Sequence, residues 1–420
     1  PSSPSDSNPI VEADEAALDN TDSTATETGP AITTDTSAAK ADSSAEPEVP
    51  GSSWLYAGGA LLAVYGLFAS IDLLDVGFQS ILGPQAEALL ILAANPWLGL
   101  LLGILATALI QSSSIVTTLL VALVANGFPI ATAIPMVMGA NLGTTITNTL
   151  VSLGYLGNDD EFERGFAAAT IHDCFNLVAL VIFFPLELLL HPLERLTQWL
   201  STQGLGLDFL PENFISPIDW LVQPTRWLIA YGVNTLHGPW DSLLLFGISV
   251  GGVMVSVTTL GWLLKHWLNA PTKEAIYWAM GHGSKLGSLA TGMGITALLQ
   301  SSSITTSLMV PLAGSGTVAL KDIYPFVLGA NIGTCITALL ATLAVDSPAA
   351  LQLALVHLSY NLLAVTLIFS LPLLRNVPLT MAQRLATIAK NYRFIAVAYV
   401  VGVFFLLPFL ALWMSSLVLG

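Results

Sequence analysis

Long apolar runs separated by short polar breaks set the pattern of this chain. They lie near residues 53–78, 97–125, 129–154, 165–190, 240–268, 286–314, 323–345, 349–374 and 394–419, and each spans or nearly spans the hydrocarbon core, which takes about 20 residues as helix. In lipid the backbone must satisfy its own hydrogen bonds. The runs therefore predict helices and an all-α polytopic membrane protein. Residues 196–239 interrupt the series: Pro211, Pro217, Pro224 and Pro239, with scattered polar groups, predict a loop carrying interfacial aromatics such as Trp220 and Trp227.

Two runs carry the same interruption. TALIQSSSIVTTLLV, Thr107 to Val121, matches TALLQSSSITTSLMV, Thr296 to Val310, at eleven of fifteen positions. Downstream, IPMVMGANLGTTITNTL from Ile134 returns as YPFVLGANIGTCITALL from Tyr324 with ten of seventeen identical, and HDCFN at His172 answers HLSYN at His357. Apolar composition alone cannot produce matched Gln, Asn and His. The expected organisation is an acidic tail (1–50), a first span (51–80), repeat 1 (85–195), an extracellular loop (196–239), a linking span (240–270), repeat 2 (275–374), a basic cytoplasmic loop (375–393) and a last span (394–420).

Composition agrees with a bilayer as solvent, since 54% of the residues are hydrophobic and 10% charged, against about a quarter charged in soluble domains. The formal net charge of −16 is local: residues 1–50 hold eleven acids and one lysine, which leaves −6 on the other 370. No basic stretch exists to hold a polyanion, so nucleic acid is not an expected partner. The first fifty residues lack the large apolar side chains that would offset the entropy of ordering, and predict a disordered tail. No basic region leads into a short apolar core, so a cleaved signal peptide is not expected. Cys174 and Cys335 both fall in apolar runs and read as small buried hydrophobes. The few cations suggest an orientation. Lys265, Lys273 and Lys285 precede repeat 2, and Arg375, Arg384, Lys390 and Arg393 follow it, so the positive-inside rule puts both its ends in the cytoplasm. The linking span then leads back to an extracellular loop, both ends of repeat 1 lie outside, and the repeats are expected to be inverted, with the tail cytoplasmic.

QSSS stands in mid-run twice, at Gln111 to Ser114 and Gln300 to Ser303. Four adjacent hydrogen-bonding side chains facing lipid would be costly, so they must face protein, water or ligand. A helix broken there would present free N–H groups, the positive dipole end of the next half-helix and uncharged hydroxyl donors, the chemistry of an anion site. Two copies at the midplane would enclose a tetrahedral oxyanion, with unwound carbonyls and the oxygens of Gln111, Gln300 and neighbouring Ser, Thr and Asn available to sodium. Simple helix packing explains Gly103 and Gly292 but not four adjacent polar residues. In the GAN-x-GT motifs, Gly139 to Thr144 and Gly329 to Thr334, glycine permits either a broken helix or close packing, and Asn141 and Asn331 point to a cation site or its scaffold. Asp173 is the lone carboxylate of the 165–185 run and faces Leu358 in the repeat alignment, which makes it a candidate cation ligand. His172 and His357, with Asn176 and Asn361, occur in both halves and read as structural hydrogen-bonding residues.

With QSSS twice, GANLGT and GANIGT, and the run FERGFAAATIHDCFN, residues 85–400 resemble the type II sodium-phosphate cotransporters. The resemblance implies broken or re-entrant helices in two inverted repeats, import of inorganic phosphate coupled to sodium by alternating access, and a plasma-membrane location. It implies that Ser112, Ser113, Ser114, Ser301, Ser302 and Ser303 surround phosphate and that Gln300, Ser301, Thr334 and Thr337 hold sodium. Asp173 would accompany an additional sodium and electrogenic transport. Where many animal members read Gln-x-Gly-Asp, this chain has Tyr155, Leu156, Gly157 and Asn158, with Asp159 adjacent, so two sodium ligands are missing. Its central loop has neither cysteines nor Asn-x-Ser/Thr sequons. The serines alone do not exclude arsenate or sulfate as cargo. An intramembrane hydrolase using a QSSS serine with His172 and Asp173 is disfavoured, because the serine motif is doubled and the acid is not. A passive channel would need a ring of charge that the sequence lacks.

Overall fold

The computed structural model describes residues 52–81, 95–204, 223–225, 227, 241–267, 274–276, 278–279, 284–345 and 347–419. The acidic tail, residues 82–94 and most of the 196–239 loop lie outside these. Among the described residues every regular element is a helix, and seven segments are long and apolar enough to cross a membrane.

The chain opens with α1 (Ser52–Ile81). Repeat 1 follows as α2 (Pro96–Ile110), α3 (Ser113–Ala125), α4 (Ile130–Leu142), a 3-10 turn at Gly143–Thr145, α5 (Ile146–Leu153) and α6 (Asp159–Leu190). A short α7 (Pro192–Trp199) ends it, and α8 (Asp241–Trp267) packs along α1. Repeat 2 comprises α9 (Lys285–Leu299), α10 (Ser302–Ser307), α11 (Met309–Gly314), α12 (Leu320–Gly333), α13 (Cys335–Thr342) and α14 (Pro348–Ser370). Then come α15 (Pro372–Asn391), α16 (Phe394–Val401), a π turn at Gly402–Leu406 and α17 (Leu407–Leu419). Two of the expected apolar runs, 97–125 and 286–314, are divided at their QSSS motifs. Repeat 2 carries a further break at Leu308, where Pro311 cannot donate to the Ser307 carbonyl one turn back. Its counterpart Ala122 leaves α3 unbroken.

Each repeat is built on a pair of helices crossing backbone to backbone. In repeat 1 a Cβ on Gly103 would stand 2.1 Å from the Met136 carbonyl oxygen, and one on Gly139 would stand 2.0 Å from that of Leu100. In repeat 2 the same places are Gly292, 2.0 Å from Phe326 O, and Gly329, 1.9 Å from Leu289 O. Only glycine fits, which is how membrane helices gain close contact without a hydrophobic drive. The first glycine of each GAN-x-GT motif is thus a packing residue, and the helix tightens four residues later at Gly143 and ends at Gly333.

The segment 375–393 is not a loop. Residues 375–391 lie in the 20-residue α15, whose Ala382, Ala386 and Ala389 recur at helical spacing and are buried, Ala386 and Ala389 in a cluster with Phe162, Phe166 and Ala167 of α6. At the start of α6, Lys390 pairs with Asp160 (2.8 Å) and Glu163 (2.9 Å), and Arg393 pairs with Asp159 and lies 4.1 Å above the Phe162 ring. Hydrogen bonds donated to Asp160, then Glu163, hold the Lys390 ammonium's pKa above its ordinary range. Beyond the other end of α6, Gln352 at the start of α14 donates to the Glu194 carbonyl of α7 at 3.2 Å. The α6 C-terminus therefore adjoins the α14 N-terminus.

Candidate functional site

Both QSSS motifs break their helix in the same way. Gln111 has φ 61° and Gln300 φ 54°, the left-handed region, which costs a non-glycine residue about 1–2 kcal/mol. Each glutamine turns its side chain back so that Nε2 donates to the carbonyl three residues earlier, Ala108 or Ala297, one of the acceptors that the helix end frees. The next serine is extended and caps the following helix: Ser112 Oγ accepts from Ile115 N–H and Ser301 Oγ from Ile304 N–H, each at 3.3 Å. Ser113, Ser114, Ser302 and Ser303 form the buried first turns beyond the caps. Each second half then packs on the other repeat, α3 against α13 and α10 against α5. Ser303 Oγ donates to the Thr144 carbonyl at 3.3 Å, and Asn148 Nδ2 donates to Thr306 Oγ1 at 2.7 Å. A turn of uncharged donors, wedged between the repeats away from bulk water, suits an anion.

The histidines and asparagines form a reciprocal lock. His172 Nε2 meets Asn331 Oδ1 at 2.8 Å, and Asn331 Nδ2 donates to Asn176 Oδ1 at 2.7 Å. In the mirrored half, His357 Nε2 meets Asn141 Oδ1 at 3.0 Å, and Asn141 Nδ2 donates to Asn361 Oδ1 at 2.9 Å. Each asparagine of a GAN motif is therefore held by the His and Asn of the other repeat. Because an amide oxygen only accepts, each Nε2 carries the proton. Asn176 Nδ2 donates to Asn141 O (2.9 Å), while Asn361 Nδ2 reaches His357 O (3.0 Å) and Cys335 Sγ (3.2 Å). The side chains of Asn141 and Asn331, candidate cation ligands on sequence grounds, are thus engaged at oxygen and nitrogen alike. Cys174 and Cys335 are buried free thiols.

Other candidate ligands retain an unused oxygen. Gln300 Oε1 and Thr337 Oγ1 are buried without a hydrogen-bond partner among the described residues. A buried acceptor so left costs about 1–3 kcal/mol, and a hard cation is what neutral oxygens serve. Thr334 Oγ1 donates to Ala330 O at 3.0 Å and keeps its lone pairs. Asp173 is buried in α6, and its Oδ2 accepts from the Tyr399 hydroxyl of α16 at 3.0 Å while Oδ1 has no described partner. No described hydrogen bond joins His172 or Asp173 to a QSSS serine, so the hydrolase arrangement is not formed. Asn158 caps α6 by accepting from Asp160 N–H (3.1 Å) and Glu161 N–H (3.3 Å).

Sequence reasoning passed over three kinds of residue here. Thr107 and Thr296, each with a buried hydroxyl that has no partner among the described residues, sit one turn before the glutamines; they open the repeated segments and were detectable by that. Asn148 lies where the repeats differ, opposite Ala338. Tyr399 belongs to neither repeat and gave no signal.

Comparison with known proteins bears on these features. The profile of the family described as Na+/Pi-cotransporter matches residues 67–210 and 243–406. The chain is 31% identical over 439 residues to sodium-dependent phosphate transport protein 2B of Pongo abelii, covering 82% of this chain and 63% of that protein. The Homo sapiens 2B protein gives the same identity and coverage. Sodium-dependent phosphate transport protein 2A of Mus musculus is 31% identical over 432 residues, 84% of this chain and 67% of that protein. The chain thus spans 63% of the length of the 2B relatives. No solved structure matches it.

Proposed function

Because this chain belongs to the Na+/Pi-cotransporter family, we propose that it carries inorganic phosphate into the cell together with sodium, by alternating access between two inverted repeats. The observation that carries this reading is the doubled helix break: two QSSS turns with matched left-handed glutamines and capping serines, each half-helix packed on the other repeat. In this reading Ser112 to Ser114 and Ser301 to Ser303 receive the phosphate oxygens, with backbone N–H groups and hydroxyls as donors. Gln300, Ser301, Thr334 and Thr337 receive sodium. Asp173, with one oxygen on Tyr399 and the other unpartnered among the described residues, receives an additional sodium. Asn141 and Asn331 hold the repeats together, as do His172, His357, Asn176 and Asn361. The antiparallel approach of α6 and α14, the helices that carry the equivalent histidines, supports inverted topology. The host membrane is the plasma membrane, with the acidic tail and α15 on the cytoplasmic side, where the cations gather.

The deciding experiment is uptake of labelled phosphate into proteoliposomes with an inward sodium gradient, with sodium equal on both sides, and with potassium replacing sodium. Accumulation only under the sodium gradient is expected. Equal uptake in potassium medium would remove the cotransport reading.

A further inference from the structure

The two repeats are not in the same state. Four positions correspond between them: Thr107 with Thr296, Gln111 with Gln300, Gly143 with Gly333, and Thr147 with Thr337. Their framework coincides closely. Both glutamines are left-handed and tie back to the carbonyl three residues earlier. A Cβ on Gly143 would stand 2.8 Å from Thr107 Cβ, and one on Gly333 would stand 2.8 Å from Thr296 Cβ. Both threonines are fully buried, with hydroxyls that have no partner among the described residues. The difference lies in the last pair. In repeat 1, Thr147 Oγ1 donates to Gln111 Oε1 at 3.0 Å, in an exposed position. In repeat 2, Gln300 is 5% exposed and Thr337 1% exposed, and neither oxygen has a partner among the described residues.

An amide oxygen and a hydroxyl bonded to each other and the same two groups buried apart are the two states expected of a pair that alternates between bonding itself and bonding a cation. Inverted repeats supply the reason for both in one molecule. When two such repeats are related by an axis in the membrane plane, turning the carrier from one face to the other exchanges their conformations. The geometry points to a second cation site in repeat 1, formed by Gln111, Thr147 and Thr107, which is shut here by the Thr147–Gln111 hydrogen bond and opens when the repeat-2 pair, Gln300 and Thr337, closes. This inference rests on the cotransport reading and deepens it. Sodium would be released on each half-cycle because its two neutral ligands turn to each other, with no proton moved. Thr107 and Thr296 offer the third oxygen of each site, one helical turn before the glutamine.

The test separates the two membrane faces. Sodium dependence of phosphate flux is measured in right-side-out and inside-out vesicles for the wild type, Thr337→Val, Thr147→Val and Thr147→Ser. Thr337→Val is expected to raise the half-saturating sodium concentration at one face by about tenfold, the scale of one lost buried oxygen contact. Thr147→Val is expected to do so at the opposite face, and Thr147→Ser to behave as the wild type. If Thr147→Val does not reach the membrane, Gln111→Met removes the other oxygen and should give the same one-sided shift. A shift at the same face as Thr337→Val, or no shift at either, would overturn the second site while leaving cotransport standing. Wild-type flux indifferent to sodium at both faces would instead overturn the cotransport reading beneath it.

Discussion

Ser113 and Ser302 test the anion reading most directly, because they are buried at the head of α3 and α10, whereas Ser112 and Ser301 spend their hydroxyl oxygens on caps. Replacing either by alanine leaves a phosphate oxygen short of one donor, at about 1–3 kcal/mol. The expected outcome is phosphate affinity lowered about five- to a hundredfold, with membrane-inserted protein unchanged, read from uptake kinetics at saturating sodium. Wild-type kinetics in both variants would return QSSS to a packing role. Asn141 and Asn331 make the opposite prediction. Each serves one histidine and one asparagine of the other repeat, so Asn331→Ala leaves two buried groups unmatched. Thermal unfolding in detergent should fall by several degrees with and without sodium alike. A loss confined to the sodium-induced part of the stabilisation would make Asn331 a cation ligand after all. Polarity in an apolar run announced that these asparagines mattered. It did not announce for what, since their partners lie in the other repeat.

At the scale of elements, the sequence was most legible where chemistry and spacing agreed. Four adjacent polar residues inside an apolar run foretold a broken helix, whereas the serine caps on its restart came from the structure. It was least legible where a local signal concealed a distant contact. The cations of 375–393 suggested a loop, yet Ala386 and Ala389 pack on Phe162 and Phe166, and Lys390 and Arg393 close over the acidic start of α6. The glycine crossings show how strictly elements are positioned. A Cβ at Gly139 or Gly329 would lie about half a contact distance from a carbonyl of the partner helix, and no side chain can yield to relieve it. Gly139→Ala and Gly329→Ala should each force the helices apart, and the protein should be lost from the monodisperse fraction on size-exclusion chromatography. If both variants fold and transport normally, the crossings are not the frame of the repeats. Gly58, with open space around it on α1, should tolerate the same change.

At the scale of the whole molecule much of the design is doubled, and Asp173 is where the doubling fails in charge, since repeat 2 has Leu358 at that position. Seven cations suggested an inverted topology, which remains part of the proposal, but no sequence signal suggested the partner of Asp173, because Tyr399 sits on a segment outside both repeats. Each charge crossing 100 mV is worth about 2.3 kcal/mol, so divalent phosphate entering a negative interior faces about 4.6 kcal/mol. Two sodium ions cancel that charge, and a third makes the potential assist uptake. In the proposed reading Asp173, with Oδ2 on Tyr399 and Oδ1 unpartnered among the described residues, is the group that would support the third. Uptake of divalent phosphate should therefore rise with inside-negative potential, and Asp173→Asn should weaken that rise while retaining sodium-dependent uptake. Tyr399→Phe keeps the carboxylate but frees Oδ2, so it should alter sodium affinity and leave the voltage response in place. The measurement is phosphate flux into proteoliposomes at potassium-valinomycin potentials, with pH and sodium gradient fixed, for all three proteins. Asn158 is committed to capping α6, and an electroneutral wild type would mean that Asp173 is not the charge-coupling residue. An Asp173→Asn protein with the full voltage response would leave the carboxylate a structural acceptor for Tyr399.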